Sequence, residues 1–172
     1  MKNWKVILAI LTANVVLMAA GYTMLIPFLP MYLINELGVS AEDVKMWNGA
    51  IFSITFLIGG IMAPIWGKMA DTRGKKMMAV RAGAGLALSY FLGGIVTTPE
   101  QMFGVRVLQG FAAGLWSACL AIATSLVPME KLGVSLGIMQ AGLTCGNVIG
   151  PLVGGSLATL FGMRASFFVA GG

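Results

Sequence analysis

The sequence predicts an all-α membrane protein with five complete transmembrane helices and the start of a sixth. Three observations carry that prediction. Hydrophobic residues make up 58% of the 172 and charged residues only 10%, at a mean hydropathy of +0.91. So few charges cannot cover the surface of a soluble domain of this size, so lipid must be the solvent. The apolar residues also gather in runs of the ~20 residues that a helix needs to cross a bilayer. The connectors between runs are short, which makes successive spans antiparallel neighbours.

The spans read as 6–34, 48–66, 77–96, 102–127 and 134–161, with a sixth beginning at Ser166 and cut off at Gly172. Residues 1–172 thus form one transmembrane unit. Lys2 and Lys5 before the first run imitate a signal peptide, but the run is far too long and lacks a small-x-small cleavage site. It also exceeds what a bilayer requires, and Pro27 and Pro30 predict a kink at its far end. One side of the bundle collects Lys2, Lys5, Lys68, Arg73, Lys75, Lys76 and Lys131. The other has Lys45 and Arg164 with Glu36, Glu42, Asp43 and Glu100. The cation-rich side is expected in the cytoplasm, and the N-terminus with it.

Several function classes fall away. The net charge of +5 comes from cations beside spans, which is not a nucleic-acid footprint. Cys119 and Cys145 sit in apolar runs and read as small packing residues rather than a disulfide pair. Gly133-Val-Ser135-Leu-Gly137 spells a nucleophile elbow, but an elbow needs a strand–turn–helix and a histidine base. Here it opens a membrane helix in a chain with no histidine. With no metal-ligand cluster and no phosphate loop, the expectation is no enzyme, no metal and no cofactor.

The most informative stretch is Gly67-Lys-Met-Ala-Asp71-Thr-Arg73-Gly74-Lys75-Lys76. Taken alone, its cations are a positive-inside anchor. Two glycines and a carboxylate add more. Gly67 is expected to end the second span as a left-handed cap. Asp71 is expected to accept hydrogen bonds from Arg73 or a helix N-terminus, and Gly74 to reverse the chain into the third span.

Polar groups inside the spans follow. Arg106 lies ~6 Å inside the outer end of the fourth span, counting ~1.5 Å per residue. It either snorkels to the headgroups or faces protein. A stripe of Gln109, Gly110, Ala113, Gly114, Ser117 and Thr124 at helical spacing favours protein. The fifth span repeats Gly142, Gly146, Gly150, Gly154 and Ala158 at four-residue intervals, a ladder that lets another backbone come close. Within it, Gly150-Pro151 removes a backbone donor and predicts a bend. Gln140, Thr144 and Asn147 share another face of that span. Asn14, Met18, Gly21, Tyr22 and Leu25 share one on the first span. Such polar faces suit a cavity or a protein seam. All six carboxylates lie in loops or at span ends, leaving no acid at the midplane.

Gly67-x-x-x-Asp71-x-x-Gly74-Lys75-Lys76 after a second span resembles the signature loop of the major facilitator superfamily of secondary transporters. Arg106-x-x-Gln109-Gly110 in a fourth span resembles that family's second motif, implicated there in proton coupling. Gly146-x-x-x-Gly150-Pro151-x-x-Gly154-Gly155 in a fifth resembles its antiporter motif. The three occur in order across the chain, and the resemblance is to the drug:proton antiporter branch. The run Met46-Trp-Asn-Gly-Ala-Ile-Phe-Ser-Ile-Thr-Phe-Leu resembles one group of multidrug efflux proteins within it.

The resemblance implies the N-terminal half of a facilitator fold of about twelve spans, built from inverted three-helix repeats. Its missing C-terminal half would be the main partner, with protons and a small amphipathic substrate, in the cell membrane. Asp71 with Arg73 would latch the cytoplasmic face against that half. Arg106, Gln109 and Gly110 would serve coupling, and Gly150 and Pro151 would set the fifth helix against the missing half. The chain alone would then be a fragment unable to transport. The runner-up is a facilitator-family importer of a small solute, followed by a non-transporting membrane scaffold.

Overall fold

A computed structural model describes residues 4–171, so Lys2 lies outside the described residues. The helices are α1 (Trp4–Leu25), α2 (Leu29–Asn35), α3 (Val44–Arg73), α4 (Lys75–Ile95), α5 (Pro99–Ala112), α6 (Leu115–Leu126), α7 (Met129–Phe161) and α8 (Met163–Gly171). Five membrane-crossing segments result: α1, α3, α4, the α5–α6 pair and α7. The fold class is therefore the expected one.

Boundaries differ from the hydropathy runs for local reasons. The first run breaks after Leu25, and α2 restarts with Pro30 in its first turn. A proline fits there because early helical N–H groups have no partner anyway. The fourth span begins at Pro99 rather than at residue 102. Thr98 Oγ1 accepts from Gln101 N at 3.3 Å, and Gln101 Oε1 accepts from Thr97 N at 2.9 Å. This reciprocal cap extends the helix past the apolar run. The second span does not stop at residue 66. It continues through Gly67 as a 30-residue helix, ~45 Å at 1.5 Å per residue. That exceeds the ~30 Å hydrocarbon core, so its cationic last turns stand outside the apolar layer.

The fourth span is also not one helix. Gly114 has φ +113° and separates α5 from α6. The stripe from Gln109 to Thr124 is therefore not continuous, because helical register is lost at the break.

Helix α1 lies along α7, α3 along α5, and α4 contacts α5, α6 and α8. The α1–α7 seam is a backbone contact. An added Cβ at Gly142 would meet Thr12 Cγ2 at 2.9 Å, and one at Gly146 would meet Val16 O at 2.5 Å. At Gly150 it would meet Ala20 O at 2.6 Å, and at Gly154 Met24 O at 2.5 Å. Two apolar clusters complete the interior. Leu8, Leu11, Val15, Cys119, Ala123 and Met139 fill the end near the N-terminus. Tyr32, Leu33, Ile51, Met102 and Phe167 belong to the cluster at the opposite end. Tyr32 Oη donates to Gly93 O at 3.0 Å, which satisfies its hydroxyl. Large apolar side chains such as Leu17, Phe56 and Leu152 remain exposed, as lipid or a further protein surface requires.

Gly146→Ala should force α1 and α7 apart and destabilise the bundle by about 1–3 kcal/mol. Gly137→Ala, where an added Cβ meets nothing within 4 Å, should be neutral or slightly stabilising, since alanine favours helix. Thermal unfolding of both variants in detergent checks the ranking. Equal melting temperatures would remove the close-packed seam.

Candidate functional site

Arg106 is 4% exposed and lies inside the protein, not in lipid. Its Nη1 donates to Gln109 Oε1 at 2.8 Å, and its guanidinium carbon lies 5.8 Å from the Phe52 ring centroid. The one-turn spacing of Arg106 and Gln109 on α5 brings the two side chains together. Thr55 Oγ1 on α3 donates to Arg106 O at 3.3 Å. Gly110 plays a different part. An added Cβ there would sit 2.6 Å from Thr55 O, so Gly110 is what lets α3 approach α5.

No carboxylate neutralises Arg106. Every acidic residue is exposed, and the ion pair found among the described residues is Arg164 with Glu36, at 2.8 Å on the surface. Gln109 Nε2 is buried with no hydrogen-bond partner among the described residues. A buried cation held by an amide and a ring, beside an unpaired amide donor, is a high-energy arrangement ready to accept an acceptor group or water.

Beside it opens a cavity of about 490 Å³ whose lining includes Met18, Tyr22, Phe56, Gln109, Trp116 and Asn147. That volume suits a small organic molecule. Methionine and aromatic walls adapt to varied apolar shapes. Two prolines add acceptors. Pro64 in α3 and Pro151 in α7 lack an N–H, so the carbonyls four residues earlier lose their helical donors. Those carbonyls belong to Gly60 and Asn147, and both residues line this cavity.

The expected cavity faces hold only partly. Met18, Tyr22 and Asn147 meet here, while Asn14 lines a second cavity of about 490 Å³ with Met18, Gly21 and Gly150. Gln140 and Thr144 are exposed and line neither. Leu25 is 3% exposed and packs in the core. The ladder fixes this outcome, because turning it onto α1 turns Gln140 and Thr144 outward.

In the antiporter-like segment, Gly146, Gly150 and Gly154 are buried against α1. Gly150 therefore contacts a helix of this chain, which differs from the expectation that it abuts a missing half. Pro151 and Gly155 are only half-buried, and α7 continues as helix through Pro151. Ser135 of the elbow-like sequence is buried within α7. Cys119 is buried but Cys145 is exposed, so Cys145 is not the packing residue its apolar run suggested.

The signature segment is mostly helix. Gly67 lies inside α3 and caps nothing. The single break is Gly74, with φ +92°, where α3 ends and α4 begins. This is a left-handed conformation that glycine adopts without strain. Asp71 is exposed in the last turn of α3, and neither Arg73 nor a helix N-terminus bonds it among the described residues. The expected local acceptor role is thus not what the fold provides. Lys75 Nζ instead donates to Ala121 O at 3.1 Å, while Arg73 and Lys76 are exposed.

One residue was missed from sequence. Arg81 lies in α4, facing Trp66 of α3 and the end of α5. It followed the basic cluster closely enough to be passed over, and an arginine placed ~9 Å beyond Lys75 along a helix was the available signal.

The profile of the Major Facilitator Superfamily matches residues 11–172. Relatives named multidrug resistance protein MdtG are similar to the chain. That of Proteus mirabilis is 39% identical over 97% of this chain and 42% of its own length. That of Yersinia enterocolitica is 39% identical over 97% and 40%, and that of Serratia proteamaculans 36% over 99% and 41%. The chain thus spans about two-fifths of the length of the curated relatives it matches. Five membrane-crossing segments, a buried arginine beside a cavity and the family profile agree: the chain belongs to the Major Facilitator Superfamily.

Proposed function

We propose that this chain is the N-terminal transmembrane half of a secondary transporter that exports small amphipathic molecules by alternating access. The observation that carries the reading is Arg106, 4% exposed and without an acid, beside a cavity of about 490 Å³ with methionine and aromatic walls. A scaffold has no use for an uncompensated cation at that depth. The names of the relatives concern multidrug resistance, which supports a drug-like substrate for this chain too. The protein acts as a transporter and not as an enzyme.

Residues 1–172 form one domain, and the second half closes the cavity from the opposite side. The cationic ends Lys68, Arg73, Lys75, Lys76 and Lys131 favour a cytoplasmic N-terminus in the inner or plasma membrane. Proton movement changes the hydrogen bonding around Arg106 and Gln109, and an acid in the second half supplies the titrating group. Asp71 has no partner within the described residues, and a carboxylate at a helix C-terminus is unfavourable there. It therefore serves as a latch to the second half's cytoplasmic surface. Gly155 and the exposed side of α7 around Pro151 face that half, while Gly146, Gly150 and Gly154 hold α7 to α1.

In the full-length protein, Arg106→Ala should abolish proton-dependent dye accumulation in inverted vesicles, with insertion unchanged. Arg106→Lys should restore little, because an ammonium is a point charge without a planar fork. Normal efflux by Arg106→Ala at equal expression would sink the coupling role.

Asp71→Asn keeps size and hydrogen-bonding capacity but removes the charge. It should insert normally, shift cysteine accessibility toward the inward-facing state and lose export. Lys75→Ala with Lys76→Ala should chiefly disturb topology. An active Asp71→Asn protein with unchanged accessibility would remove the latch.

A further inference from the structure

The fourth span is interrupted inside the membrane layer, and the interruption has a specific partner. At Ala113–Gly114 the backbone leaves helical geometry, so carbonyls at the end of α5 lose the donors that a continuous helix would give them. In lipid such carbonyls must be satisfied from elsewhere. Arg81 Nη1 donates to Phe111 O at 3.2 Å and its Nη2 donates to Ala113 O at 3.0 Å. Trp66 Nε1 donates to the same Phe111 O at 2.9 Å.

The guanidinium carbon lies 3.7 Å from the Trp66 ring centroid, and the Trp66 and Phe111 rings meet edge to face at 4.9 Å. One planar cation is therefore stacked on α3, rooted in α4 and bonded to the C-terminal end of α5. That is also the end at which the helix dipole favours positive charge. Nearly two turns earlier on α4, Lys75 Nζ holds Ala121 O of α6. The start of α4 thus reaches both pieces of the broken span.

Those pieces carry the site. Gln109 lies on α5 next to the break, and Leu115 and Trp116 open α6 just after it, all three lining the cavity beside Arg106. We infer that Arg81 is a positioning residue: by bonding the carbonyls freed at the Ala113–Gly114 break while stacked on Trp66, it fixes how α6 departs from α5. It thereby sets the cavity wall that Gln109 and Trp116 form. A role in topology would need only its charge. The positioning role needs the planar fork, since an ammonium cannot lie flat on Trp66 and serve two carbonyls at once.

The chain holds its own reporter. Cys119 on α6 is 2% exposed, just beyond the break. The test uses the full-length protein with Cys119 as its sole cysteine, in membranes, and measures the rate of labelling by a permeant maleimide. Arg81→Gln and Arg81→Lys should each raise that rate roughly tenfold or more, as losing a charge-assisted bond implies. Trp66→Phe, which keeps an aromatic face but loses the Nε1 donor, should raise it less. Arg164→Gln, which breaks the far-side surface pair, should leave it unchanged.

In efflux assays Arg81→Lys should raise the apparent KM for the dye more than it lowers the maximal rate. Protection of Cys119 in Arg81→Lys equal to that in the parent would overturn the inference, because charge alone would then suffice. If Arg81→Gln fails to insert, the lysine and phenylalanine variants decide by the same criterion. The labelling readout needs no transport, so it fails separately from the transporter reading.

Discussion

Lipid tails are as apolar as leucine, so helices in a bilayer gain little by hiding apolar side chains from their solvent. They associate where backbones touch and where polar groups find partners. In this bundle the line of Gly142, Gly146, Gly150 and Gly154 against α1 is that contact. It brings α7 within Cβ-excluding distance of α1 along much of its length. Much else follows from this seam. It decides which face of α7 points inward, delivers Asn147 to the cavity and turns Gln140 and Thr144 away from it. Gly110 does the same for α3 and α5, and so brings Thr55 to the backbone of Arg106.

The same solvent makes polar satisfaction strict. Two arginines lie within the spans, and they are treated differently. Arg81 gives both Nη donors to carbonyls released by a helix break and stacks on an indole, while its Nε is buried without a partner among the described residues. Arg106 has an amide oxygen and an aromatic ring but no acid, next to an amide donor with no partner. The first arrangement satisfies groups that would otherwise be orphaned, which is how a static joint is built. The second meets no acid and leaves the Gln109 amide donor unpaired beside a cavity of methionine and aromatic walls, which is how a responsive site is built. The residue type is the same, and its surroundings divide the roles.

Membership of the facilitator superfamily was legible because its motifs combine residues with separate physical duties at fixed spacing. Gly74 must adopt positive φ, Arg106 and Gln109 must share a helix face, and the ladder must repeat each turn. Composition alone fixed lipid as the solvent. The number of spans and their antiparallel order followed from apolar run length and short connectors. Span boundaries were less legible. Hydropathy marks the apolar layer, whereas caps such as Thr98 and Gln101, and the cationic last turns of α3, extend helices beyond it.

What the sequence by itself determined is therefore the local and periodic part: an all-α membrane bundle, the kink before Pro30, the chain reversal at Gly74 and the helix face shared by Arg106 and Gln109. The tertiary structure alone decided what depends on rotation and register between helices. It showed that the fifth-span ladder packs on α1 and that Gly67 is interior helix. It also showed that the fourth span breaks at Gly114, and that Arg81, a short way along α4 from the basic segment, bonds the carbonyls at that break. A helical repeat states which residues share a face. Which neighbour the face meets depends on interhelical packing that no single span encodes, since in lipid many faces are equally apolar and only the close contacts tell them apart.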